Sequence, residues 1–115
     1  MAEKDCVFCK IVAGEIPSKQ VYQDEEIIAF HDISPKTPVH ILVVPQKHIS
    51  KLSEADDSDG ELLGKIQLVC AKVAEDAGIG DAFRVLNFNG ERAGQTVFHI
   101  HYHVRGGWED DKKED

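Results

Sequence analysis

Val97-Phe98-His99-Ile100-His101-Tyr102-His103-Val104-Arg105 alternates imidazoles with apolar side chains from His99 onward. In an extended strand, residues two apart share a face, spaced by about 6.5–7 Å. His99, His101 and His103 therefore line one face. Ile100, Tyr102 and Val104 line the other, which is expected to pack on a helix. Imidazole serves as nucleophile, proton donor or metal ligand near neutral pH. A plain solvated face would not be all histidine. From this run alone, a metal site and a catalytic site both stay open.

Working outward, Gly94-Gln95-Thr96 precedes the histidines. Small residues with accessible N–H groups form turns that cradle anions, so a phosphate site is expected there. Strand parity adds a second wall. In 27–32, Phe30 and Asp32 share a face while His31 lies opposite and is read as structural. In 39–44, His40 and Leu42 share a face. An apolar wall beside a carboxylate, and another beside a histidine, suits a base, a ribose and a phosphate in series.

Further strands are expected at 20–23 and 83–88, and the last at 97–105. The 39–44 run is nearly all apolar, so both its faces should be covered. A short helix is expected at 6–13, stopped by Gly14. From 60 to 77, Leu62, Leu63, Ile66, Val69, Cys70, Val73 and Ala77 recur at helical steps, and Gly78 closes the run. Cys70 belongs to that apolar face. The expected fold is α+β, two layers, with an antiparallel sheet of about five strands, one long helix and one short. Residues 1–107 form a single domain, and 108–115 a charged tail with Trp108 as its anchor.

The formal net charge of −8 argues against DNA or RNA duplexes as partners, since these need a basic footprint. No apolar run is long enough to span a membrane. Met1-Ala2-Glu3-Lys4-Asp5 is polar and acidic, unlike a leader, so a cytoplasmic protein is expected. Three cysteines do not make a disulfide framework in that setting.

The His99–Val104 repeat, its lead-in Gly94-Gln95-Thr96-Val97-Phe98 and the upstream block Ala29-Phe30-His31-Asp32-Ile33-Ser34-Pro35 resemble the histidine triad (HIT) superfamily. So do Thr37-Pro38-Val39-His40-Ile41-Leu42-Val43-Val44-Pro45 and Lys47-His48-Ile49. The likeness covers roughly residues 6–107 and is closest to the histidine triad nucleotide-binding branch, which are nucleoside phosphoramidases. It implies that His101 attacks the α-phosphorus of a purine nucleotide (an AMP or GMP derivative) and forms a nucleotidyl-histidine. Water then releases the monophosphate. It implies further catalytic roles for His103, His40 and His99. Gly94, Gln95 and Thr96 would hold phosphate, and Asp32 both ribose hydroxyls. Phe8, Ile11, Ile16, Phe30, Ile33 and Leu42 would wall the base. Asn87 matches the family's phosphate-side asparagine if the loop carries one extra residue.

Cys6 and Cys9 form C-x-x-C, which alone fits a redox pair or buried thiols equally well. With His48 and His99 they make a two-sulfur, two-nitrogen zinc set of the kind several superfamily members carry. Four protein ligands leave no open position, so that zinc would be structural and the chemistry would need no cofactor. The resemblance also implies a homodimer with a continuous sheet. Departures are Arg105, where relatives usually keep an apolar residue, and the short acidic tail. Dinucleoside polyphosphate hydrolysis, or a nucleotide- or zinc-binding regulatory role, are the alternative functions.

Overall fold

In the computed structural model, which describes residues 5–109, the chain runs α1 (Val7–Val12), β1 (Gln20–Gln23), β2 (Ile27–His31), β3 (Val39–Pro45), α2 (Gly60–Asp76), β4 (Phe83–Leu86) and β5 (Tyr102–Gly106). All strand pairs are antiparallel, in the sheet order β1-β2-β3-β5-β4. The α+β architecture read from the sequence is the one observed. Residues 1–4 of the expected domain and 110–115 of the expected tail lie outside the described residues.

The sheet separates two apolar clusters. On one face Ile27, Ala29, Ile41, Val43, Ile100, Tyr102 and Val104 meet Ile66, Val69, Cys70, Val73 and Ala74 of α2. On the other, Ile28, Phe30, Leu42 and Val44 meet Cys6, Phe8, Cys9 and Ile11 at α1. This is why β3 is apolar almost throughout: its alternate residues belong to different cores. Burial removes these side chains from water at roughly 25 cal/mol per Å². Ala77, expected on the α2 apolar face, is exposed at the C-cap, and Ala74 packs instead. Gly78 at φ +82° follows that cap, as the stop signal requires.

Five strand ends differ from expectation; among them, β3 runs on to Pro45 and β5 to Gly106. β2 stops at His31, leaving Asp32 one residue past the strand; β4 stops at Leu86. β5 begins at Tyr102 rather than Val97. The reason is local bonding. The Ile100 N–H goes to the Ile49 carbonyl at 2.6 Å, and the His101 carbonyl is taken by the Asn87 side chain at 2.9 Å. Those groups satisfy the lead-in backbone in place of a ladder. The alternation of faces survives regardless. Trp108 is half-buried, with the Arg84 guanidinium 5.6 Å from its ring centre. Among the described residues no helix is long and apolar enough to cross a membrane.

Gly106 sits where β5 passes under the turn after α2. A Cβ there would lie 2.7 Å from Ile79 Cδ1 and 3.1 Å from the Ala82 carbonyl oxygen. Gly64, exposed on α2, would meet nothing within 4 Å. Urea unfolding should therefore show Gly106→Ala less stable by about 1–3 kcal/mol. Gly64→Ala should gain about 0.5–1 kcal/mol from helix propensity.

Candidate active site

Register places the expected residues in rows across the α1 side of the sheet. Asp32 follows β2, its N–H on the His40 carbonyl at 2.9 Å. His40 pairs with Arg105, and Arg105 with Arg84. The adjacent row is Phe30, Leu42, His103 and Leu86. His101 comes next along the chain, its ring centre 5.0 Å from that of His103. Phe8 of α1 closes the near side, edge-on to His101 at 4.9 Å and to Phe30 at 5.6 Å. Phe8, Ile11, Phe30 and Leu42 thus form one buried wall, with Ile16 half-buried against it. Ile33 does not join that wall; it is 98% exposed beyond the strand end, because the chain has left the sheet there.

Fixed donors and acceptors determine where the protons sit. A backbone carbonyl only accepts, and a backbone N–H only donates. The Lys36 N–H donates to His40 Nδ1 at 3.0 Å, so the proton of neutral His40 is on Nε2. That Nε2 lies 2.9 Å from His103 Nδ1 and 3.4 Å from Asp32 Oδ2. His103 Nδ1 therefore accepts, and its own proton is on Nε2. His101 Nδ1 donates to the His99 carbonyl at 2.8 Å, which leaves the lone pair on His101 Nε2. One imidazole thus carries a nucleophilic nitrogen, and its neighbour carries an N–H donor.

Burial is the main cause that holds all three rings below the usual imidazole range. For His103 the neighbouring imidazoles and Arg105 add to burial, and its pKa falls to about 4. Asp32 opposes the shift at each of the three. Donor atoms of Asp32, His40 and His103 also lie within 4.8 Å of one another. They do not suit a metal, since neutral His40 has one nitrogen engaged by Lys36 and the other protonated. They form a hydrogen-bonded chain instead.

A second cluster does suit a metal. His99 Nδ1 lies 3.3 Å from Cys6 Sγ, 3.5 Å from Cys9 Sγ and 3.2 Å from His48 Nδ1; His48 Nδ1 is 3.4 Å from Cys9 Sγ. Bond lengths of about 2.3 Å to sulfur and 2.0–2.1 Å to nitrogen set the edges of a tetrahedron at about 3.3–3.8 Å. His99 Nε2 donates to the Pro45 carbonyl at 2.8 Å, which turns the Nδ1 lone pair inward. His99 is fully buried with both ring nitrogens engaged, so its ring does not enter the row formed by His40, His103 and His101.

The Gln95 side chain takes a part other than the one expected. Gln95 is buried, with its Oε1 bonded by the Gly90 N–H and its Nε2 donating to the Ser50 and Val97 carbonyls. Its own N–H donates to Gly90. Gln95 therefore braces the loop and has no donor left for phosphate. Thr96 is exposed. Gly94, at φ +100°, lies against the Phe88 ring, whose centre is 5.0 Å from that of His103. Asn87 donates one Nδ2–H to the His101 carbonyl and accepts from Asn89, so it steadies the backbone of His101 and keeps a second N–H. Sequence reasoning missed Phe88 and Asn89. An aromatic flanked by two asparagines just before Gly90 was the available signal.

A HIT domain family model matches residues 13–110. The HIT-like protein slr1234 of Synechocystis is 49% identical over 107 residues, covering 93% of each chain. A HIT family hydrolase from Clostridium thermocellum superposes with a TM-score of 0.92 at 44% identity, covering 97% of this chain and 98% of that one. A histidine triad protein from Clostridium difficile gives 0.91 at 43% identity, covering 99% and 100%.

A base whose folded pKa is depressed binds fewer protons folded than unfolded. Between the ordinary value near 6.5 and about 4, His103 accepts a proton only in the unfolded chain. Its contribution to stability is therefore present above pH 6.5 and is lost as pH falls toward 4. Denaturant midpoints taken across that window should fall with acid. The His103 imidazole signals should titrate well below pH 6 in NMR spectra.

Proposed function

This chain belongs to the HIT domain family, and we propose that it is a hydrolase that cleaves purine nucleoside 5′-phosphoramidates at the α-phosphorus. The observation that carries this is the bond from His101 Nδ1 to the His99 carbonyl, which leaves Nε2 as a lone-pair nucleophile. In the first step Nε2 forms a bond to phosphorus, and the phosphorus–amine bond breaks. The departing amine takes a proton. In the second step water attacks phosphorus, the histidine–phosphorus bond breaks, and the monophosphate leaves. Division into two displacements is what a covalent nucleophile provides.

His103 Nε2–H stabilises the oxygens on which charge builds, and His40 holds its partner nitrogen. Asp32, one residue past β2 and beside His40, accepts the ribose hydroxyls. The wall of Phe8, Ile11, Phe30 and Leu42 takes the base, and the Gly94-Gln95-Thr96 turn borders the phosphate. Cys6, Cys9, His48 and His99 would hold a structural zinc, whose role when bound is to secure α1 against the residue that orients His101. A homodimer is part of the same proposal. Support comes from Leu68 on α2, 73% exposed, and from Val85 on the edge strand β4, 38% exposed.

His101→Asn should lower the hydrolysis of adenosine 5′-phosphoramidates by about a thousandfold or more, while calorimetry still detects bound AMP. Unchanged turnover in that variant overturns the proposal, and binding without turnover in the unaltered protein supports a regulatory role instead. Rates on a phosphoramidate and a dinucleoside polyphosphate, measured side by side, rank the two leaving groups. Metal analysis should give about one zinc per chain. Its removal should make Cys6 and Cys9 reactive to thiol reagents and lower the melting temperature.

A further inference from the structure

We propose that Arg105 anchors a subsite for an anionic leaving group, a carboxylate or phosphate on the part of the substrate that departs. This rests on the hydrolysis proposed above and names the class of leaving group that the site selects.

His101, His103 and Arg105 follow one another on the same face of the chain. A nucleotide with its ribose at Asp32 and its phosphorus at His101 has its leaving group opposite the nucleophile. On this face Arg105 is the next residue beyond His103 and lies two strand steps from His101. Across the sheet, Arg105 is directly opposite His40 on one side and Arg84 on the other, on the flank away from Asp32. Its guanidinium carbon is 5.9 Å from the centre of the Phe88 ring, which itself lies tilted with its centre 5.0 Å from that of His103. Its positive charge reaches His40 and His103, since it helps to depress both pKa values.

Two features separate this from an ordinary strand-end arginine. The first is the Arg105 Nε, which is buried and has no hydrogen-bond partner among the described residues. A buried donor without an acceptor is costly and rare in native folds. The second is charge placement. Like charges directly opposite on neighbouring strands repel. Yet the chain sets Arg105 opposite Arg84, in a protein with 21 acidic and 13 basic residues. Among the described residues no carboxylate pairs with Arg105. A planar fork with a free buried N–H, next to a phosphate site, is complementary to a carboxylate or phosphate.

The primary test is binding, so it does not depend on turnover. Calorimetry compares AMP with adenosine α,β-methylene diphosphate, in which a CH2 replaces the bridging oxygen. The second phosphate occupies the leaving-group position. The unaltered protein should bind the diphosphate about tenfold or more tighter than AMP, the range of a charge-assisted hydrogen bond. Arg105→Leu should bring that ratio close to one, and Arg105→Lys should recover part of it. Arg105→Gln serves in place of Arg105→Leu if the latter does not fold. An unchanged ratio overturns the proposal. So does equal weakening of both ligands, which would mean that Arg105 acts only by supporting Phe88.

A kinetic arm then identifies the source of the anion. It uses an adenosine phosphoramidate whose amine carries a free carboxylate, the methyl ester of the same compound, and a dinucleoside polyphosphate. Preference for the free carboxylate, or for the polyphosphate, over the ester supports the subsite and assigns its ligand. Preference for the ester overturns it. If none of the three is hydrolysed, the proposed function fails and the binding ratio alone decides the subsite.

Discussion

The hydrogen bond from His101 Nδ1 to the His99 carbonyl is the contact on which the rest of the site depends. An imidazole in solution exchanges its proton between two nitrogens. Here a carbonyl that can only accept removes that freedom and leaves Nε2 with the lone pair. The bond is useful only if the carbonyl stays in place. His99 is held from two directions, by Pro45 through its ring Nε2 and by the Cys6–Cys9–His48 cluster around its Nδ1. One residue therefore joins the metal-type cluster to His101. Asn87, on the His101 carbonyl, holds the same stretch from the other side.

A similar logic orders the second histidine pair. The Lys36 N–H cannot accept, so it sets the tautomer of His40, and His40 in turn sets that of His103. Burial strengthens this order by keeping the rings neutral. Protonation of His103 at Nδ1 would put two N–H groups face to face across 2.9 Å. The chain is thus directional: a backbone donor at one end becomes an N–H donor at the other.

Much of this was legible in the sequence because it depends on parity. The two-residue alternation of 99–104 assigned Ile100, Tyr102 and Val104 to the helix side and the histidines to the opposite face, which α1 covers. The same rule put Phe30 with Asp32, and Leu42 with His40. It held even where the backbone is not a regular strand, as at His99 and His101, since extended chain alternates with or without ladder bonds. The convergence of Cys6, Cys9, His48 and His99 was legible from ligand chemistry and family likeness, although Cys6 and His99 are 93 residues apart. What was not legible depends on single tertiary bonds. Gln95 looks like a phosphate donor by type and position, but Ser50, Val97 and Gly90 already engage its side chain. The family likeness placed Ile33 on the wall, whereas β2 ends two residues before it and leaves it exposed.

Arg105 shows why global charge says little about a local site. A net charge of −8 repels polyanions at long range, yet screening limits that field to about 8–10 Å at ordinary ionic strength. Within the sheet the local order is a carboxylate, an imidazole and two guanidiniums, from Asp32 through His40 and Arg105 to Arg84. Such a gradient aligns a molecule that presents hydroxyls at one end and negative charge at the other. In the proposed hydrolysis it would also disfavour a cationic leaving group, because like charges brought together away from bulk water repel more strongly than they would in it. The histidines would then supply the chemistry, and the residue just past them would decide which substrates reach it.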